Sequence, residues 1–125
     1  MTDKQSFVDM MESVQQFHDK HAFNRLGGED MIYRLALMTE ELGEIAECVT
    51  KGKPLDDLAE ECADLLILLM GNAISANFDL NAAFWKKMSE LDSRGAKIVD
   101  GRVRVTSYKA DDEAEERSSV VAGSS

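Results

Sequence analysis

The stretch MTEELGEIAEC, Met38 to Cys48, decides how this chain is read. At about 100° per residue, Met38, Leu42, Ile45 and Val49 form one apolar stripe of an amphipathic helix. Leu37, Glu41, Glu44 and Cys48 form a second stripe beside it, with the same four-three-four spacing. Glu41 and Glu44 therefore stand in a row whose ends are Leu and Cys, which turns them inward. Glu40 and Glu47 lie further round and read as solvated. The competing reading is that all four acids form one solvated face, as charges on helices usually do.

Outward from this stretch, the helix is expected from about Glu29 to Thr50. Its end is well marked, because Lys51 and Lys53 suit the negative end of a helix dipole, Gly52 can take a left-handed cap and Pro54 blocks continuation. The next helix spans roughly Leu55 to Ala76 and opens with Asp56 and Asp57, as a helix N-terminus prefers. Leu58, Cys62, Leu65 and Leu69 make its apolar stripe, and Asp57, Glu61, Asp64 and Leu68 run beside it. After Asp64 this helix is apolar nearly all round, the pattern of a helix buried on several sides. If the two helices pair antiparallel across KGKP, the acidic pairs Glu41/Glu44 and Glu61/Asp64 face each other.

An earlier helix, from about Thr2 to about His21, places Phe7, Met10, Met11, Val14 and Phe17 on one face. NRLGG, Asn24 to Gly28, then interrupts it with paired glycines. A last helix, with Asp79 as N-cap, stops near Gly95. In AKIVDGRVRV, Ala96 to Val105, Asp100-Gly101 sits between two short alternating runs, a signal for a type I′ β-hairpin. Ala96, Ile98, Val103 and Val105 would share one of its faces. From Lys109 the chain becomes polar and acidic and reads as a disordered tail. The expected fold is all-α, four main helices with a short C-terminal hairpin, as one domain over residues 1–108 and a tail over 109–125.

Composition supports this reading. The 125 residues are 44% hydrophobic and 30% charged, with a single Pro and few aromatics, which suits helices better than a β-sandwich. A net charge of -10 argues against nucleic acid as a large-area partner. Cys48 and Cys62 are too few for a disulfide framework and read as small core residues in a reducing compartment. The start of the sequence has no signal-type apolar region, and the longest apolar run, Leu65 to Met70, is far short of a membrane span. Cytoplasmic, with no membrane partner, is the expectation.

Four carboxylates in a partly apolar cleft repel one another and lose hydration, so they need protons or a cation. An all-carboxylate set favours a hard ion, Mg²⁺ or Mn²⁺, over zinc. A di-iron bundle would want Glu-x-x-His pairs, and His18 and His21 lie in the first helix without completing one. The arrangement suits metal-assisted phosphate chemistry.

At these residues the sequence resembles the MazG-like all-α nucleotide pyrophosphohydrolases. Their pattern, EExxE followed by ExxD, is met by EELGE, Glu40 to Glu44, and ECAD, Glu61 to Asp64, within a resemblance covering roughly Met31 to Arg94. It implies that Glu41, Glu44, Glu61 and Asp64 hold Mg²⁺ and form the catalytic centre, with Glu40 outside it. It also implies hydrolysis of nucleoside triphosphates to monophosphate and pyrophosphate, one carboxylate being the general base, in nucleotide house-cleaning. A family pattern on the last helix, K-x-x-x-N-x-x-R, is met at Lys87 and Arg94, while Leu91 replaces the Asn.

Lys86 to Lys109 carries seven of the chain's 14 basic residues, either to meet triphosphate oxygens or as an ordinary solvated surface. Trp85 is a candidate to stack on a base, although a Trp beside Ala82, Phe84 and Met88 reads first as core. Phe17 and His21 are weaker candidates of the same kind, and both histidines read first as polar edges of the first helix. The apolar third helix needs more cover than its own chain supplies, so a homodimer or dimer-of-dimers tetramer is expected. Two rival readings are a phosphoribosyl-ATP pyrophosphatase-like enzyme and a non-enzymatic helical interaction module.

Overall fold

A computed structural model describes residues 6–109. Four helices and one two-stranded hairpin make up the described residues: α1 (Phe7–Lys20), α2 (Met31–Thr50), α3 (Leu55–Ala76), α4 (Leu80–Asp92), β1 (Arg94–Val99) and β2 (Arg102–Lys109). The all-α architecture with a C-terminal hairpin is as expected. The chain forms two compact units, Met1–Leu80 and Asn81–Ser125.

In the first unit, α1 begins at Phe7, where the Ser6 hydroxyl caps it by accepting from the Asp9 N–H at 3.1 Å; the start expected near Thr2 lies outside the described residues. α2 is capped in the same way by Asp30, whose carboxylate accepts from the Ile32 N–H at 3.0 Å. It ends at Thr50, and Gly52 takes a positive φ of 60° as the sequence requires. α3 ends on Asn77, which adopts the left-handed conformation itself. α2 and α3 run antiparallel, with Arg34 bonded to Asn72 at one end and Lys53 turned back onto the Cys48 carbonyl at the other.

The core lies where α1 and α2 cover the C-terminal half of α3. Val14, Met70 and Ala73 are buried there, and Cys48 is buried nearer the other end of the α2–α3 pair. Three polar groups are buried with them: His18, Arg34 and Asn72. His18 is only 3% exposed, so it is not the polar helix edge that its spacing suggests. The α2 stripe is also displaced from expectation. Leu42 is 58% and Val49 64% exposed, while Cys48 is buried and Leu37 and Glu41 are half-buried. Met38 and Ile45 of the apolar row are half-buried too, and Met38 Sδ accepts from Asn72 Nδ2 at 3.2 Å, so the inward line of α2 takes members of both rows, Met38, Glu41, Ile45 and Cys48. Cys62 is exposed rather than packed, although Leu58 and Leu65 of the same expected stripe are half-buried.

In the second unit, α4 stops at Asp92, where Ser93 turns back onto the Glu90 carbonyl through its amide and its hydroxyl. Arg94 and Gly95 therefore belong to β1, not to the last helix. β1 and β2 pair antiparallel, Ala96 opposite Val105 and Ile98 opposite Val103, so these four share a face as expected. Asp100 and Gly101 both have positive φ, 51° and 77°, the backbone of a type I′ turn. β2 extends to Lys109; the tail expected beyond it lies outside the described residues.

Candidate active site

The antiparallel α2–α3 pair brings Glu41, Glu61 and Asp64 together. One ligand atom from each lies within 4.8 Å of the others. Glu44, one turn along α2 from Glu41, faces Glu61 and completes the cluster without contributing to that closest triplet. All four residues singled out by their spacing are therefore in one place. Glu40 is exposed, and Glu47 is engaged elsewhere, bonded to Lys51 at 2.8 Å with Lys53 at 3.6 Å.

The electrostatics of the cluster are those of crowded acids. A side-chain hydrogen bond with Glu44, then burial, then the neighbouring Glu41 push the Glu61 carboxyl up to about 7. Burial, with the charges of Glu44 and Asp64 adding to it, raises Glu41 as well, while its hydrogen bond with Glu61 works the other way. Glu41 Oε2 and Glu61 Oε2 are sealed from solvent and have no hydrogen-bond partner among the described residues. An orphaned buried carboxylate oxygen is costly unless a proton or a cation meets it. Two such oxygens in an oxygen-only donor set fit a hard divalent ion.

Along the same α2–α3 groove, on the side of α1, a cavity of about 630 Å³ opens. Phe17, His21, Phe23 and Tyr33 contribute rings to its lining, and His18 and Arg34 contribute polar groups. Leu37 and Leu68 also line it; each is four residues from a carboxylate of the cluster, Glu41 and Asp64 respectively, which is about 6 Å along a helix. Arg34 is 1% exposed. Its Nε donates to Asn72 Oδ1 at 2.8 Å, Nη1 to the Gly28 carbonyl at 3.1 Å and Nη2 to the Leu68 carbonyl at 2.8 Å. A side chain on Gly71 would collide with Arg34 and His18, so the glycine makes room for both.

Sequence spacing missed this buried polar group. The signal available was Arg34 inside an otherwise apolar run, MIYRLALM, and Gly71-Asn72 at the end of another. A lone cation among apolar residues has to find acceptors within the fold.

In the second unit, Lys87 pairs with Glu90 at 3.0 Å and Arg94 approaches the same carboxylate at 3.8 Å. Trp85 is 63% exposed, its indole N–H donating to Asn81 Oδ1 at 3.2 Å and its ring meeting Phe84 edge-on. It is not the core residue that its apolar neighbours suggest.

The profile of the phosphoribosyl-ATP pyrophosphohydrolase family matches residues 5–89, more than half of the chain. The chain belongs to the phosphoribosyl-ATP pyrophosphohydrolase family. That family is part of the MazG-like all-α superfamily already indicated by EELGE and ECAD. The matched span contains α1, α2, α3 and most of α4, and with them the whole acidic cluster and the aromatic cavity. No curated protein and no solved structure matches the chain significantly. As a member of this family the chain is a pyrophosphohydrolase, a hydrolase of phosphoanhydride bonds in nucleotide-like substrates. Among the described residues, no single helix is long and apolar enough to cross a membrane.

Proposed function

We propose that this pyrophosphohydrolase cleaves nucleoside triphosphates, ribo or deoxyribo, between the α and β phosphates, releasing monophosphate and pyrophosphate. The observation that carries the reading is the convergence of Glu41, Glu61 and Asp64 with two orphaned carboxylate oxygens. These three, with Glu44 adjacent, would hold Mg²⁺ or, less selectively, Mn²⁺. A bound Mg²⁺ supplies positive charge to the phosphate oxygens and makes water more acidic.

Within that frame the chain's own residues have distinct work. Glu41, Glu61 and Asp64 fix the position of the cation, and their helices keep them there without a change of fold. Glu44, beside the triplet but outside it, is proposed to accept a proton as water attacks phosphorus. The new P–O bond forms as the bond to the departing pyrophosphate breaks. Lys87 and Arg94 are proposed to meet phosphate oxygens, at the cost of their shared contact with Glu90, and Trp85 to meet a ring face. The exposed Leu35, Leu42 and Val49 of α2 support a homodimer or dimer of dimers. A house-cleaning role in the nucleotide pool follows from such a reaction.

The test is pyrophosphate release from a panel of ordinary and modified nucleoside triphosphates, with phosphoribosyl-ATP as a further substrate, with and without Mg²⁺. Release that requires Mg²⁺ and is lost in Glu41→Gln is expected. Release from phosphoribosyl-ATP alone would move the substrate away from simple triphosphates. Silence across the panel from folded protein would reject the proposal.

A further inference from the structure

Apolar contact alone does little to fix how far α2 stands along α3. Both rows of α2 carry apolar side chains, and apolar burial is non-directional. A slip by one residue shifts a side chain by about 1.5 Å along the axis and turns it by about 100°. A cation site tolerates far less, because its ligands must hold their geometry to within about 0.5 Å.

Directional contacts cross the interface at Arg34, which is 1% exposed. Its fork is held on α3 by the Leu68 carbonyl and Asn72 Oδ1, both at 2.8 Å, and ahead of α2 by the Gly28 carbonyl at 3.1 Å. Asn72 Nδ2 in turn donates to Met38 Sδ at 3.2 Å, one turn further along α2. The fork lies against Gly71, the single glycine of α3, where a side chain would collide with it. One position away along α3, the guanidinium would leave its acceptors and meet a side chain.

Spacing ties this contact to the carboxylates. Seven residues lead from Arg34 to Glu41 on α2, and seven lead back from Leu68 to Glu61 on the antiparallel α3. Seven residues are about two turns, or about 10 Å along either axis. The Arg34–Leu68 bond and the Glu41–Glu61 hydrogen bond therefore share one register. All three acceptors of the fork are neutral, so its charge is buried without a carboxylate bonded to it. Setting a register is the best-attested use of such a costly buried polar group.

We infer that Arg34 is a positioning residue of the active site, its fork setting the register of α2 on α3 in which Glu41, Glu61 and Asp64 converge on a cation. Arg34 acts through those carboxylates and needs no contact with substrate or metal. The role rests on the proposed cation site and names the residue that gives that site its geometry.

Arg34→Lys keeps the charge and loses the fork, and Asn72→Ala removes one of its acceptors. Val14→Ala, in the core beside α3, is the control for lost stability alone. Each full-length variant is compared with the wild type at a temperature where circular dichroism shows it folded. In metal-free protein, methyl NOEs between α2 and α3 report the register. Arg34→Lys and Asn72→Ala are expected to change that pattern, and Val14→Ala to keep it. Calorimetric titration with Mg²⁺ should give Arg34→Lys a Kd at least about tenfold weaker, the range usual for groups that orient metal ligands. Its kcat should fall by a larger factor than its KM rises, while Val14→Ala should keep the wild-type Kd.

Wild-type NOEs and wild-type Mg²⁺ affinity in both fork variants would overturn the inference and leave the proposed metal site standing. An equal loss of affinity in Val14→Ala would overturn it too. Should Arg34→Lys fail to fold, Asn72→Ala decides. A wild type that binds no Mg²⁺ would reject the proposed cation, and the metal-free NOEs would then judge the register by themselves. A changed pattern in the fork variants would keep Arg34 as the residue that aligns the two helices, and an unchanged one would reject both.

Discussion

At the scale of single residues, the chemistry is set by carboxylates that cannot all be ionised at once without a cation. Glu61 is raised from 4.5 to about 7, and Glu41 is raised too. The sign follows from linkage: the folded chain holds these protons more tightly than the unfolded chain, so they favour folding at low pH. That contribution is complete below about 4.5 and is lost as pH rises through about 7. Metal-free protein should therefore show a melting temperature that declines between pH 5 and pH 8, measured in a chelator. Glu61→Gln should flatten the decline, since the amide has no proton to lose. A melting temperature that rises over the same interval in the wild type would contradict the assigned environment. Arg34 makes a second prediction. Arg34→Leu strips partners from Asn72 and two carbonyls, and should cost at least about 3 kcal/mol in denaturant unfolding. A loss under 1 kcal/mol would mean that those groups find water instead.

At the scale of elements, most of this architecture is written in local signals. The Gly52 cap, the Pro54 stop and the Asp100-Gly101 turn are each found where their backbone needs place them. Glu41, Glu44, Glu61 and Asp64 were legible because two short motifs repeat one geometry on consecutive helices. What was not legible is the rotation of α2. Its two stripes differ by one residue in position, and a wheel cannot say which of them meets α3 when both contain apolar side chains. Packing took members of both, Met38 and Ile45 from one and Glu41 and Cys48 from the other, because Arg34 bonds to Asn72 and Leu68 and so fixes how α2 turns toward α3. His18 escaped notice for the same reason: its burial depends on the space left by Gly71, 53 positions away in sequence. The hairpin offers a clean test of local control. Gly101 has a φ of 77°, so Gly101→Ala should destabilise the β1–β2 pairing by roughly 1 kcal/mol. Hydrogen exchange of the strand amides would report it, and unchanged protection would show that the turn tolerates a Cβ.

At the scale of the whole molecule, metal binding and assembly both feed back on stability. Mg²⁺ at a concentration a hundredfold above its Kd should stabilise the fold by about 2.7 kcal/mol, provided it binds only the native state. A helical module whose acids are merely solvated would show almost no change. Assembly rests on a different surface. Leu35, Leu42 and Val49 recur every seven residues along the outward side of α2, and all three are more than half exposed in the single chain. On α3, Leu66, Ile67 and Leu69 are also exposed. Apolar area of this kind on two neighbouring helices is the surface that a second copy would cover. Leu42→Glu places a charge in the middle of the α2 row and should weaken the proposed dimer by about two orders of magnitude or more, read as dissociation in light scattering. The same substitution in a true monomer touches only water, and should alter neither mass nor stability by more than about 0.5 kcal/mol. Because Leu42 immediately follows Glu41, a dimer that closed over it would also tighten the surroundings of the acidic cluster. Hydrolysis should then fall with protein concentration in the variant but not in the wild type.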